Sequence, residues 1–412
     1  MSRIDELIAK HCPNGVEFRE LGEVIHRTTN IKWSDVDGEF RYIDLTSVDR
    51  ITHAIVETQT ISSENAPSRA QQVVREGDVI FGTTRPMLKR YTVIPAEYDG
   101  DICSTGYCVL RPNTELALPN FIFHLLGTDT FYTHVEANER GASYPAISDS
   151  AVKAFCIPVP PLEVQREIVK VLDTFTKLEA ELEAELEARR RQYQYYRDAL
   201  LTFDEHDMTQ ANIRRATLGE IGKWYGGGTP SKGRPDYWKN GTIPWVSPKD
   251  MGRPIIDSAD DYITEMAIKE SSTKLVPANS VALVVRSSIL DKFLPSALIS
   301  VPVALNQDMK AVITQEGIMP GYIAHLLRLQ GPDILRAARK TGGSVASIDS
   351  GKLFSFRIPI PPLEEQARIV AILDKFDALV NDISIGLPAE INARRQQYEH
   401  YRNRLLTFKE AA

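Results

Sequence analysis

Apolar residues recur at steps of three and four along two long stretches of this chain. The first carries Ile168, Leu172, Phe175, Leu178, Leu182, Leu186, Tyr193, Tyr196, Leu200 and Phe203. The second carries Ile369, Leu373, Phe376, Leu379 and Ile383, then Ile391, Tyr398, Tyr401, Leu405 and Phe408. Such spacing lays one apolar stripe along a helix whose opposite face is rich in Glu and Arg, so each stretch is expected to form a coiled-coil seam about 40 residues and roughly 60 Å long. Each opens on a proline pair, Pro160-Pro161 or Pro361-Pro362, followed by Glu163 or by Glu364 and Glu365. Proline lacks the N–H that a first turn cannot use, and carboxylates favour the positive end of the helix. In the second stretch Gly386-Leu-Pro388 is expected to break or kink the helix. Ahead of each helix the pattern changes to short β-rich runs, such as 77–81 and 280–285, bounded by Gly, Ser, Thr and Pro.

The chain repeats itself. Ile157-Pro-Val-Pro-Pro-Leu-Glu-Val-Gln returns as Ile358-Pro-Ile-Pro-Pro-Leu-Glu-Glu-Gln, 201 residues later. The same offset carries Pro119 to Pro320, His124 to His325, Gly141 to Gly342 and Ile147 to Ile348. Ala188-Arg-Arg-Arg-Gln-Tyr matches Ala393-Arg-Arg-Gln-Gln-Tyr at an offset of 205, and each copy ends in Leu-Leu-Thr-Phe. A period this long marks a duplicated domain-plus-helix unit, since solenoid repeats have periods of about 20–50 residues. The expected division is 1–156 and 207–357 for two globular domains, with 157–206 and 358–412 as helical regions. The fold class is α+β, two mixed α/β domains joined by two long helices. Each helix alone would expose its stripe to water, so the natural partner of each is the other copy. If the second domain's termini lie close together, the helices run antiparallel, and the pair carries a pseudo-twofold like that of duplex DNA. The expected contacts along the seam are Leu172, Phe175, Leu182, Tyr193 and Leu200 with Leu373, Phe376, Tyr398 and Leu405.

Composition narrows the function classes. With 412 residues, 43% hydrophobic and 25% charged, the chain reads as an ordinary globular protein of two to three domains. No run approaches the ~18 apolar residues of a membrane span, and the charged start lacks a signal-peptide core, so a cytoplasmic protein with four unbridged cysteines is expected. The net charge of −7 weighs against a nucleic-acid partner, but it is uneven: block 207–357 holds 19 basic and 14 acidic residues. Any DNA binding must use local patches or a basic partner chain.

The tandem Pro-Pro-Leu-Glu-x-Gln helices, with Ala-Arg-Arg-x-Gln-Tyr and Leu-Leu-Thr-Phe, resemble the specificity (S) subunits of type I restriction-modification enzymes. So do Val16-Glu-Phe-Arg-Glu-Leu-Gly-Glu-Val24, Thr217-Leu-Gly-Glu-Ile221, Gly226-Gly-Gly-Thr-Pro-Ser231 and Ile243-Pro-Trp-Val-Ser-Pro-Lys-Asp-Met251. The resemblance covers essentially the whole chain. It implies two target-recognition domains, each reading half of a split DNA sequence. The helices would form an antiparallel coiled-coil spacer that docks two methyltransferase (M) subunits, with restriction-translocase (R) subunits joining them. It also implies no chemistry and no cofactor on this chain, S-adenosylmethionine being held by the M subunits.

The residues agree with a non-catalytic role. The Asn/Asp-Pro-Pro-aromatic clamp of an amino-methyltransferase is missing, since Val159 and Ile360 precede the proline pairs and Leu162 and Leu363 follow them. The stretch from Gly228 to Arg234 approaches a phosphate-binding loop without its Lys-Ser/Thr ending. Asp308-Met-Lys310 has nuclease-like spacing without a partner motif, and His124 and His325 read as packing histidines. DNA contact is expected from turns: Thr83, Thr84, Arg85, Lys89 and Arg90 after the first-copy strand, and Arg286, Ser287, Ser288 and Lys292 after its counterpart. Arg suits guanine O6 and N7, while Lys, Ser and Thr suit phosphates. Gly227, Gly228, Thr229 and Lys232 are expected to cradle a phosphate, with Tyr144 a further contact. Each of these also reads as a solvated charge or a packing residue. The alternative function is a coiled-coil adaptor that reads no DNA.

Overall fold

A computed structural model describes residues 3–204, 212–340, 344–381 and 385–411. Gly342 of the repeat, Ile383 of the second seam and the expected boundary at 206/207 lie outside the described residues. The helices are α1 (Arg3–His11), α2 (Pro119–Leu125), α3 (Asp129–Asn138), α4 (Asp149–Lys153), α5 (Leu162–Leu201), α6 (Glu265–Glu270), α7 (Pro320–Ala338), α8 (Ser350–Ser355), α9 (Leu363–Asn381) and α10 (Leu387–Leu405). Two compact units emerge: residues up to 185 together with 389 onward, and residues 186–388. Each therefore contains one globular domain, part of α5 and one of the later helices.

The first domain holds two four-stranded sheets. One is antiparallel in the order Ile25–His26, Tyr107–Pro112, Val79–Gly82, Tyr91–Val93; the other runs Gln59–Ile61, Phe40–Ile43, Ile102–Ser104, Ala70–Val73. A single parallel pairing, Phe40–Ile43 with Ile102–Ser104, marks the second sheet. The second domain repeats this plan. Gly222–Gly226, Met309–Thr314, Ser280–Val284 and Ser296–Ile299 form the equivalent sheet with Ile255–Ile256 added at the edge, and Ile243–Val246 lies parallel to Val303–Leu305. In both copies the strand leading into the candidate DNA loop is buried along its length, as a near-continuous apolar run requires.

Each domain is closed by its own ends. Phe18–Glu20 pairs antiparallel with Cys156–Pro158, and Arg214–Thr217 with Arg357–Ile360. Entry and exit of the second domain are thus adjacent, which is the condition for antiparallel helices. In the first unit Phe175 stacks on Tyr401 at 5.4 Å, while Glu179 and Glu183, further along α5, pair with Arg395, earlier on α10. The two helices run in opposite directions there. In the second unit Tyr193 and Tyr196 stack on Phe376 at 6.3 and 5.3 Å, and Leu201 lies beside Ile358 and Pro359, just before α9 starts. That pairing is antiparallel as well. The expected break is present: α9 ends at Asn381, and α10 begins at Leu387 with Pro388 in its first turn.

The seam differs in detail from the stripe. Leu178 and Leu379, equivalent at the offset of 201, are 40% and 37% exposed. On α9 the buried positions are Gln366, Ile369, Leu373, Asp377 and Val380, so the inward face lies one residue beyond Leu379. Leu200 is half-buried, and its neighbour Leu201 is fully buried. Leu172 joins the first domain's core with Val164, Ile168, Phe121 and Leu406, and Tyr398 and Leu405 pack against that cluster. These positions therefore hold helix to domain as much as helix to helix. Burying a side chain such as Leu172 contributes about 1.5–3 kcal/mol.

The Pro-Pro-Leu-Glu-x-Gln motif gains a physical reason. Gln165 is wholly buried; its Oε1 accepts from the Leu118 N–H, and its Nε2 donates to the Leu116 and Pro160 carbonyls. Gln366 repeats the pattern with Met319 N–H and the Gly317 and Pro361 carbonyls. Each glutamine locks the start of its long helix to the turn before α2 or α7. A second tie lies about two turns further on. His124 Nε2 meets Asp173 at 2.8 Å, and His325 Nε2 meets Asp374 at 2.7 Å. Burial lowers the His124 pKa, with Asp173 partly offsetting it. Burial works against the Asp173 carboxylate, yet hydrogen bonds from His124 and Asn120 hold its pKa below the usual value. Both histidines are satisfied packing residues, as the sequence suggests, with the added task of joining domain to helix.

Candidate nucleic-acid interface

The first candidate loop is a rigid turn. Beyond the buried strand Val79–Gly82, Arg85 and Lys89 adopt left-handed backbone (φ 50° and 55°), flanking a short turn at Pro86–Leu88. Non-glycine residues rarely hold that conformation, and where they do, surrounding contacts impose it. Here the Arg85 N–H donates to Pro145 O at 2.7 Å, and the Ile147 N–H donates to Thr83 O at 2.9 Å. The 140–147 segment is thereby stitched to the strand end. The Arg85 guanidinium lies 4.5 Å above the Tyr144 ring, and Tyr144 is 69% exposed. A cation–π stack of this kind fixes the guanidinium plane while leaving its edge free to donate. Lys89 sits 4.6 Å over the Tyr132 ring.

The second copy uses the same frame with other side chains. The Ser287 N–H donates to Ala346 O and the Ile348 N–H to Val285 O, so segment 344–348 borders the turn as 143–147 does in the first. At the place of Tyr144 stands exposed Val345. Among the described residues no ring lies beneath Arg286, which instead pairs with Asp308 at 2.6 Å. Arg286, Ser287, Ser288, Asp308, Ser344, Val345 and Pro248 line a cleft of about 700 Å³. Asp308 thus has a structural partner, and Lys310 lies 5.7 Å over the Phe354 ring, which accounts for the Asp-x-Lys spacing. Ser288 and Lys292 are exposed.

Several expected contacts are placed elsewhere. Thr83 is buried and its hydroxyl donates to Gly106 O at 2.9 Å, so it shapes the turn and offers nothing to a phosphate. Thr84 is half-buried and bridges to Ala146, and Arg90 donates to Leu45 O. The glycine cradle is not formed: the Gly227 N–H donates to Met309 O at 3.2 Å and the Gly228 N–H to Leu305 O at 2.8 Å. These glycines serve close packing, since a Cβ at Gly227 would fall 1.7 Å from Asn306 O. The Thr229 hydroxyl meets Gln307, and Lys232 alone of that group is exposed and able to reach outward. The pairing of Asp308 with Arg286 and the lining of the cleft by Ser344 and Val345 were not anticipated from the sequence. The offset of 201 from Tyr144 points to Val345, whereas nothing local signals the Arg286–Asp308 pair.

Among the described residues no group of three or more His, Cys, Asp or Glu side chains could hold a metal ion, and no helix is long and apolar enough to cross a membrane. Two equivalent mixed α/β domains, each bearing a cation-carrying turn and each fastened to paired long helices, define a duplicated domain-plus-helix protein. The chain belongs to the type I restriction modification DNA specificity domain family, whose model matches residues 13–188 and 212–393. It is 61% identical over 267 residues to the EcoR124I/EcoR124II specificity subunit of Escherichia coli, a match covering 64% of this chain and 65% of that one. The match therefore spans just under two thirds of that relative's length. A solved chain described for the complex assembly and conformational transition of the type I R-M system aligns with TM-score 0.68 and 28% identity, covering 96% of this chain and 98% of its own. The HsdS subunit of Thermoanaerobacter tengcongensis aligns with TM-score 0.53 and 26% identity, covering 96% and 97%.

Proposed function

We propose that this chain is the non-catalytic, sequence-reading subunit of a type I restriction-modification complex. Each globular domain reads one half of a bipartite DNA target through its stitched turn, Arg85 with Tyr144 in one and Arg286 with Asp308 in the other. The helices set the spacer between the half-sites and dock two methyltransferase subunits, and restriction-translocase subunits complete the assembly. S-adenosylmethionine is bound by the methyltransferase partners. Leu178 and Leu379, exposed at equivalent places on α5 and α9, supply apolar anchors for those partners.

One observation carries the reading: two backbone frames of matching strand order and turn hydrogen bonding present different side chains at equivalent positions. Two readers of different half-sites need that arrangement. The test is co-expression with the cognate methyltransferase subunit and mapping of methylated adenines. A split motif is expected, and exchanging residues 1–156 for those of another family member should change only one half. Methylation by the chain alone, or coupled changes in both halves, would refute it.

A further inference from the structure

In the first unit, α5 and α10 pack against the globular domain around a cavity of about 250 Å³. Its walls carry four cations, Arg50, Lys89, Arg395 and Arg402, against two carboxylates, Glu179 and Glu399. Arg395 is committed to Glu179 and Glu183. Arg402 meets the Tyr398 hydroxyl but, among the described residues, no carboxylate. It is only 7% exposed, its Nε meets no acceptor, and it forms no ion pair among the described residues. Its neighbours are the Tyr398 ring, 5.2 Å away, and Gly127, where a Cβ would come within 2.8 Å of Nη1. A buried guanidinium without a counter-charge is costly, so one kept in a folded protein calls for an anion.

The internal repeat shows what is missing. At the offset of 201, Gly127 and Thr176 correspond to Arg328 and Asp377. In the second unit those two form a largely buried ion pair at 3.0 Å. In the first unit the carboxylate has become Thr176, the arginine has become Gly127, and a cation arrives from α10 in the space so opened. One copy neutralises its guanidinium from within; the other leaves its buried guanidinium without a carboxylate, and four cations face three carboxylates once Glu183, paired with Arg395, is counted. A phosphate group, which carries about −1.5 to −2 at neutral pH, supplies the missing negative charge, and guanidinium binds phosphate through its N–H fork. His53, also on the wall, adds no charge at neutral pH, because burial, with Arg402 beside it, lowers its pKa to about 4. The volume is several times the ~30 Å³ share of one water, enough for a tetrahedral oxyanion with part of its hydration.

We infer that this cavity is an oxyanion site for a phosphate group, with Arg402 as its principal donor and Lys89 and Arg50 in support. The group is either free phosphate or a phosphate of the DNA backbone. The first arm of the test melts the full chain in potassium phosphate and in potassium chloride at matched ionic strength. Inorganic phosphate should raise the melting temperature by roughly 2–4 °C more than chloride. Thr176→Asp restores the carboxylate of the second copy, so it should raise the melting temperature without phosphate and abolish the response. Arg402→Met should abolish it too, whereas Arg328→Met should leave it intact. The second arm measures salt dependence of DNA binding with the methyltransferase partner present. If the phosphate comes from DNA, Arg402→Met lowers the slope of log K against log salt by about one, with no free-phosphate response in the first arm. A phosphate response that survives both Thr176→Asp and Arg402→Met, or no effect in either arm, overturns the site. The first arm uses no DNA, so its result stands apart from the DNA-reading function.

Discussion

Replacing Gln366 by leucine tests the account of the Pro-Pro-Leu-Glu-x-Gln motif. The two side chains are similar in size, so the main loss is polar. Met319 N–H loses a 2.8 Å acceptor, and the Gly317 and Pro361 carbonyls lose donors at 3.0 and 2.8 Å. The side chain is wholly buried. An orphaned buried polar group costs about 1–3 kcal/mol, and relaxation and water recover part of it, so roughly 3–5 kcal/mol is expected for the three together. Three of the four tryptophans, Trp224, Trp238 and Trp245, lie in the second unit, so intrinsic fluorescence during urea unfolding follows the affected unit. With m near 2 kcal/mol/M, the midpoint should fall by roughly 1.5–2.5 M. Glu365→Gln next door, which breaks a surface pair with Arg368, serves as control and should cost under about 1 kcal/mol. A Gln366→Leu loss no larger than that of the control would refute the clamp and leave the motif without its physical reason.

Three further outcomes follow from the same contacts. Arg286→Ala should relax base choice in one half-site and weaken binding by about 1–3 kcal/mol, leaving the other half-site unchanged in methylation maps. Deleting Ala180 to Glu183 removes one Leu-Glu-Ala-Glu step and brings Glu187 into the place of Glu183 opposite Arg395; α5 shortens by about 6 Å, and the unread gap should shrink by one or two base pairs (roughly, at ~3.4 Å per pair), as read from the methylated motif. His53 has its folded pKa lowered to about 4, so its contribution is present above the unfolded value near 6.5 and is lost as pH falls toward 4. That loss is about 3 kcal/mol, and the acid-side decline in melting temperature should be shallower in His53→Gln.

Periodicity is legible in the sequence because it is local, and repetition because it needs only the chain compared with itself. Steps of three and four announce a helix, a proline pair followed by glutamate announces its start, and Gly386-Leu-Pro388 announces a break wherever the chain goes. The duplication followed from comparing the chain with itself, and with it came the two domains, their helices and their family. The helix faces were legible only to within a residue. Leu379 fits the stripe as well as Val380 does, and Asp377, drawn inward by Arg328, turns the buried face toward Val380.

What tertiary structure alone decided is where polar groups find partners. Gln165 is only a letter of the repeated motif until the turn at Leu116–Leu118 folds over it. Thr83 and the Gly227 and Gly228 amides read as phosphate ligands until their hydrogen bonds prove to be spent within the domain. His124 and Tyr398 meet across 274 residues of chain, and Arg402 reaches the cavity beside Gly127 from the far end of the sequence. A side chain's periodicity is set by its neighbours along the chain, whereas its hydrogen bonds and counter-charges are set by neighbours in space. Whether a cation at a given position is solvated, paired or waiting for a ligand therefore depends on which distant residues the fold brings around it.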